Sequence, residues 1–381
     1  MKLHFVTGSL VHGGAERHAI TLVNRLSERG HECSLTYVKN DPSQLSRVRG
    51  AHAVECLQAG KYLDVNALGR LKNLFSLERP DVIVAANQYA LMYATLARPA
   101  GVPLAVVYHT TLLLSAKEWL QMLAYRPMFW AADRTIFVCE AQRLHWLKRH
   151  LCGRRNQVIY NGVDTEYWKP VRPTDREALR SSLGYSPEDM VVGLSAVLRP
   201  EKNPLQLLDA AARLRGQGIP AKLLFIGDGP MRPAIEARAR ALALSDAVCI
   251  TGLQQDVRPL LGACDVVALC STAVETFSLA ALEAMALGLP VVHSNVGGAA
   301  EMVRPGRNGY LFPVGDTAAL TGRLAALADP ASRRRMGARA REVVETRFTE
   351  RAMVDRYEVT LAELATTRSK HANIRKPAGA H

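Results

Sequence analysis

Residues 275–292 read ETFSLAALEAMALGLPVV, and this stretch reads as a helix feeding a strand. Small and apolar residues predict a helix over 278–287. Gly288-Leu289-Pro290 stops it, and Pro290–His293 follows as a buried strand. Glu275 and Glu283 stand eight residues apart, a little over two turns at about 100° per residue. Glu275 therefore falls at the helix mouth, and Glu283 points from the helix body to the same side. Thr276 and Ser278 add hydroxyls where first-turn N–H groups lack partners and the helix dipole favours an anion. A phosphate on those amides, with hydroxyls held by the two glutamates, is what a bound nucleotide-sugar needs. An arbitrary E-x7-E is more often a solvated amphipathic face. The small-residue opening and the glycine–proline stop favour the ligand reading here.

The 381 residues exceed one ordinary core and suit two α/β domains. With 48% apolar residues and a mean hydropathy near zero, a soluble globular protein is expected. No apolar run reaches the roughly 18–20 residues of a membrane span. The opening Lys2–Thr7 reads as a strand before a glycine loop, without a signal-peptide core, so a cytoplasmic location is expected. Seven cysteines form no C-x-x-C pair and no Cys/His cluster, which predicts reduced thiols and no zinc site. The net charge is +13, with Lys and Arg outnumbering Asp and Glu by 20 to 12 over residues 1–165 and by 28 to 23 beyond. That surplus favours an anionic partner, phosphorylated or lipid. No helix-turn-helix, RNP motif or stacking platform is present, so no nucleic-acid partner is expected.

Short apolar runs alternate with amphipathic segments throughout, the pattern of stacked βαβ units. In the first part, strands are predicted at 3–8, 33–38, 81–85, 104–108 and 135–139, with a helix over 15–29. In the second, strands are predicted at 191–196, 222–226, 247–251, 266–269 and 290–293, with helices near 203–215 and 231–243. Residues 164–188, rich in Pro, Asp, Glu and Arg, read as a linker. The expected division is a domain over 1–165, a second over 166–348, a C-terminal helix over 349–366 and a disordered basic tail over 367–381. Ligands of open parallel sheets bind beyond the carboxyl ends of the strands, so the functional residues belong in strand-to-helix loops.

Those loops carry a consistent set of residues. Gly13-Gly14 precedes the first helix, where absent Cβ atoms let amides approach a ligand. His109 follows the strand AVVY, and Asn87-Gln88-Tyr89 follows DVIVAA. Arg199 and Lys202 lie in RPEKNP, Gly227 opens GDGP, Gly252-Leu253 follows Thr251, and Asn161–Asp164 reads NGVD. Together with ETFSLAALE and GGAERHAITLVNRLSERGHE, these motifs resemble the retaining glycosyltransferases of family 4, from about residue 3 to 345. The resemblance implies a GT-B fold: two Rossmann-like parallel-sheet domains facing a central cleft, with the C-terminal helix crossing back to the first.

It also implies roles. Glu283 takes the nucleotide ribose, Glu275 the transferred sugar, and Thr276, Phe277, Ser278 and Leu279 the diphosphate. Gly13 and Gly14 face the diphosphate from the first domain, and His109 positions the sugar. Gly227 lies in the family's G-x-G-P turn, and Gly252 and Leu253 line the base. Lys202 matches the family's loop lysine; the arginine usually five residues earlier is Val197 here, with Arg199 three before. No Asp-x-Asp occurs, so metal-free transfer is expected from a UDP- or GDP-hexose to a glycan or lipid-linked acceptor in envelope polysaccharide or lipopolysaccharide synthesis. A sugar-nucleotide epimerase and a transferase acting on a soluble acceptor are the alternatives. The segment RLHWLKRHLCGRR (143–155) places Leu144, Leu147 and Leu151 on one helical stripe with five cations. With Trp119, Tyr125, Met128, Phe129 and Trp130 upstream, 117–155 is expected to touch an anionic membrane at its inner face. Packing of those aromatics within the first domain is the competing expectation.

Overall fold

The computed structural model describes residues 1–111, 115–153, 155–273 and 275–374. The chain forms two compact units, one of residues 1–160 with 351–381 and one of residues 161–350. The first break thus falls at 160 rather than the expected 165.

The first unit holds strands β1 (Lys2–Thr7), β2 (Glu32–Tyr37), β3 (Ala53–Cys56), β4 (Val82–Ala86), β5 (Leu104–Tyr108), β6 (Arg134–Phe137) and β7 (Asn156–Val158). They form one parallel sheet in the order β3-β2-β1-β4-β5-β6-β7. β4 and β5 are buried along their whole length, which is why they read as unbroken apolar runs rather than alternating ones. The strand order reverses between β1 and β4; Gly13 stands in the loop that follows β1, and Asn87 opens the helix that follows β4 directly.

The second unit repeats the design with β8 (Met190–Ser195), β9 (Ala221–Ile226), β10 (Val248–Ile250), β11 (Val266–Leu269), β12 (Val291–Ser294) and β13 (Gly309–Phe312). Their order is β10-β9-β8-β11-β12-β13, again all parallel. This is the doubly wound arrangement, with its switch point between β8 and β11. β3, β7 and β13 escaped the sequence reading: each has only three or four residues and no all-buried run.

Two expected segments differ. Residues 164–188 are no linker: a helix over Pro173–Ser182 lies within them. Its Arg176 and Arg180 reach Asp265 at 2.8 and 2.9 Å, and Asp265 also accepts the Val191 N–H at 2.8 Å. Charged residues spaced along 173–182 look solvated in sequence, yet Arg180 is buried against the sheet. The C-terminal helix also runs further than expected, over Glu350–Ile374, so the stretch from 367 to 374 is helical rather than disordered; 375–381 lie outside the described residues. This helix returns to the first unit, where Arg29 meets Asp355 and Glu358 at 2.6 Å and His31 meets Glu358 at 2.7 Å. Tyr357 and Leu361 are fully buried there.

The helix of the opening motif spans Leu279–Ala286. It ends as the sequence reads, on Gly288 at φ +77°, with Leu289 N–H donating back to the Ala284 carbonyl at 3.0 Å. Arg341 donates to the Ala286 carbonyl as well, filling an acceptor that the helix end leaves open. The helix Pro330–Arg347 packs closely here, and a Cβ on Gly337 would collide with the Gly288 carbonyl oxygen. Gly337→Ala should therefore push the two helices apart and cost about 1–3 kcal/mol in a urea unfolding curve, despite Ala being the better helix former.

Candidate active site

In the second unit the β8 and β11 strand ends diverge at the switch point, and a salt bridge spans them. Lys202 ends the short 3-10 turn Pro200–Lys202 after β8; Glu275 lies in the loop after β11. Lys202 Nζ stands 2.5 Å from Glu275 Oε2, and both side chains are mostly shielded from solvent. Ser271 Oγ donates to the same carboxylate oxygen at 2.9 Å. The two loops are also joined through backbone, with Thr272 N–H donating to the Glu201 carbonyl at 2.9 Å. Burial alone would raise the Glu275 pKa. The Lys202 ammonium and the hydrogen bonds from Lys202 and Ser271 outweigh it and hold the carboxyl below its usual 4.5.

Arg199 does not join this pair. It is exposed, and its ionic neighbour is Glu201 at 4.0 Å. Of the two cations expected in this loop, Lys202 occupies the switch point.

The segment between the glutamates divides its duties. Ser278 is the helix N-cap and its hydroxyl accepts the Ala281 N–H at 3.3 Å, so it completes the helix rather than standing open. The Phe277 ring packs edge-on against Phe348 at 5.3 Å, and its carbonyl accepts from Asn161 Nδ2 at 3.0 Å. An aromatic beside an apolar helix start is drawn to the core. The Thr276 carbonyl accepts the Gly298 N–H at 2.7 Å. Gly297, at φ +57°, lies so close to the Glu275 and Thr276 carbonyls that no side chain fits. Leu279 opens the helix and Glu283 sits in its body, 2% exposed.

Three further loops nest at the same sheet edge. Gly227 (φ +141°) bridges Gly252 (φ +72°), and a Cβ on Gly227 would strike the Ala196 carbonyl. Leu198 N–H donates to the Asp228 carbonyl at 2.9 Å, and the Leu198 carbonyl accepts the Met231 N–H at 2.9 Å. Leu253 projects outward, largely exposed.

The first unit gathers its own candidates. Gly13 caps the helix Gly14–Glu28, and Glu16 is its first-turn acid. His109 follows β5 with its N–H donated to Asn87 Oδ1 at 2.9 Å. The adjoining turn is held by Gln142 Nε2, which donates to the Tyr108 and Thr110 carbonyls at 2.7 and 3.0 Å, and by Trp146 Nε1, which donates to Thr110 at 2.7 Å. Trp146 is thereby a core residue, and its helix, Glu140–Leu147, stops short of the basic stretch expected to 155. Leu144 is exposed while Leu151 is buried, so the predicted leucine stripe does not form; Arg154 lies outside the described residues. Burial lowers the His109 pKa to about 4, so the ring is neutral at physiological pH. His18 packs on it at 4.8 Å and Tyr357 on His18 at 5.3 Å.

Sequence reasoning missed Ser271 and His293. Ser271 lay in a strand-to-helix loop and was open to notice; His293 read as the end of an apolar strand. Among the described residues no group of three His, Cys, Asp or Glu side chains is placed to hold a metal ion.

The depressed Glu275 pKa has a stability consequence. A carboxylate with a lowered folded pKa contributes stability above its unfolded value, near 4.5, and loses it as pH falls towards the folded value. The melting temperature of wild type should exceed that of Glu275→Gln above about pH 5, and the gap should close on acidification. A gap independent of pH between about 3 and 5.5, roughly one unit each side of the ordinary carboxylate range, would contradict the pairing.

Known proteins place this geometry. Residues 12–167 match the model described as Glycosyltransferase Family 4, and residues 175–343 that described as Glycosyl transferases group 1. The protein EpsD of Bacillus subtilis (strain 168) is 33% identical over 205 residues, 53% of each chain. The N-acetyl-alpha-D-glucosaminyl L-malate synthase of Bacillus anthracis is 34% identical over 204 residues, 53% of this chain and 52% of that one. The chain thus spans about half the length of these two curated relatives. Among solved structures, Anabaena Alr3699/HepE in complex with UDP-glucose superposes with a TM-score of 0.83 at 26% identity, covering 95% of this chain and all of the other. With both units matched by models of one enzyme group and both sheets doubly wound, the chain belongs to glycosyltransferase family 4 and has the GT-B fold.

Proposed function

We propose that this chain transfers a hexose from a UDP- or GDP-sugar to a hydroxyl of a glycan or lipid-linked acceptor, with retention of anomeric configuration. The observation that carries the reading is the Lys202–Glu275 pair at the β8/β11 switch point. A diphosphate placed there competes for the Lys202 ammonium, which frees Glu275 for hydroxyls of the transferred sugar. As the bond to the leaving diphosphate breaks, its growing charge meets Lys202 and the amides of 276–279 at the helix start, with Arg199 at the rim. This cationic and dipolar setting does the work without a divalent metal. Glu283 takes the ribose hydroxyls, and the Gly227 and Gly252–Leu253 turns line the base by backbone. The solved HepE complexes with UDP and UDP-glucose support a uridine donor. For the first unit, family likeness supports Gly13–Gly14 as a diphosphate-facing turn and neutral His109 as a hydrogen-bonding partner of the sugar. Retention needs no protein base if the acceptor attacks the face that the diphosphate leaves.

The acceptor reading rests on the helix Ala116–Ala131. Tyr125 and Phe129 are buried, but Trp119, Leu120, Leu123 and Trp130 are exposed. Arg149 lies over the Trp119 ring at 5.3 Å and Arg126 over Trp130 at 5.9 Å. Exposed tryptophans with guanidinium groups beside them suit the headgroup zone of an anionic membrane. Among the described residues no helix is long and apolar enough to cross one. The Trp119→Ser/Trp130→Ser variant should lose most co-sedimentation with vesicles of anionic phospholipid, while its melting temperature stays near that of wild type. Equal sedimentation of the two proteins would remove the membrane reading.

The donor is tested by thermal stabilisation with a panel of UDP- and GDP-sugars. At 100 times Kd a ligand adds roughly 2.7 kcal/mol. One nucleotide should raise the melting temperature of wild type and leave Glu283→Ala unmoved. No shift with any donor would end the transferase reading.

A further inference from the structure

The mechanism above leaves one buried titratable group on the neighbouring strand unused. His293, in β12 between Leu269 of β11 and Leu311 of β13, is wholly buried. Its Nδ1 lies 2.6 Å from the Ser294 carbonyl, so Nδ1 carries the proton and donates, and Nε2 bears the lone pair. No hydrogen-bond partner meets Nε2 among the described residues. A buried acceptor left so is uncommon and asks for a reason.

Its neighbours supply one. Ser294 Oγ donates to the Ser271 carbonyl at 2.6 Å, and Ser271 Oγ donates to Glu275 Oε2 at 2.9 Å, so the end of β12 is linked through two serines to the salt bridge. The charged groups acting on the imidazole are Glu275 from the loop after β11 and Lys202 from the loop after β8, with opposite effects. Cys270, at the end of β11, is held neutral by burial, its pKa pushed up to about 12. Burial first, and Lys202 with it, keeps His293 neutral while Glu275 remains paired.

We propose that His293 is a positioning residue that keeps the site's charge balanced, taking up a proton at Nε2 when a nucleoside diphosphate draws Lys202 away from Glu275. This rests on the donor-site reading above. In the empty site ammonium and carboxylate cancel and the imidazole is neutral. When the diphosphate engages Lys202, a like charge recedes from the ring, the Glu275 carboxylate loses its cation, and a further anion arrives. All three changes favour imidazolium. The proton comes from solvent and no covalent bond to carbon or phosphorus changes. The imidazolium then holds Glu275 ionised and in place for the sugar hydroxyls, at a position where an unpaired buried carboxylate would otherwise protonate or turn away.

The test is calorimetric titration of the full chain with UDP, and separately with GDP, at pH 7.5 in two buffers of different ionisation enthalpy (the pH being set about one unit above the ordinary histidine range). Wild type should take up about half a proton or more per bound nucleotide. His293→Asn keeps an amide N–H able to reach the Ser294 carbonyl but has no group to titrate, and should bind with the uptake lost. His293→Gln reads the same quantity if the Asn variant unfolds early. Binding to wild type without uptake, or equal uptake in a folded His293 variant, would overturn the proposal and leave the donor site standing. No heat with either nucleotide, alongside no stabilisation by any donor sugar, would overturn the donor-site reading and this proposal with it.

Discussion

The second unit depends on where its strand order reverses. Because β8 and β11 are neighbours whose following loops leave in opposite directions, their carboxyl ends open a gap that no crossover helix fills. Lys202 and Glu275 meet across that gap at 2.5 Å. A little-exposed ammonium or carboxylate alone would be strongly unfavourable, and each compensates the other while the site is empty. The salt bridge is therefore a structural tie between the two loops.

Glycines set how closely the loops around this gap can approach. At Gly227 and Gly297 the backbone turns through positive φ while passing within contact distance of a neighbouring carbonyl. Any Cβ would separate the loops and with them the groups they carry. Behind the loops, the Asp265 cluster and the Gly337 contact hold the 173–182 helix and the motif helix against the sheet. Positioning thus runs from sheet to helix to loop, and the side chains that meet a ligand come last.

Much of this was legible in the sequence, for definable reasons. Buried parallel strands are continuous apolar runs, so β1, β2, β4, β5, β8, β9, β11 and β12 stood out, most within a residue or two of their ends. Lys202 and Glu275 were singled out because ligand sites of such sheets lie in strand-to-helix loops, and the structure pairs the two. The failures share a cause. Residues 173–182 looked like a solvated linker because their arginines find a partner, Asp265, more than eighty residues away. The segment 143–155 read as a basic amphipathic helix, but Leu144 is exposed while Trp146 is buried with its indole N–H on the Thr110 carbonyl.

The amino-acid sequence by itself determined the class of fold, the alternation of strand and helix, and the types of chemistry in each loop. These follow from local periodicity, turn residues and the needs of a backbone that must satisfy its own polar groups. Only the tertiary structure decided which loops become neighbours. It separated Lys202, at Glu275, from Arg199, at Glu201, although three residues part them in sequence. It also linked the end of β12, through Ser294 and Ser271, to a salt bridge that nothing in the run VVHS announces. Charge interactions depend on distance and burial, and neither is encoded in the spacing of residues along the chain.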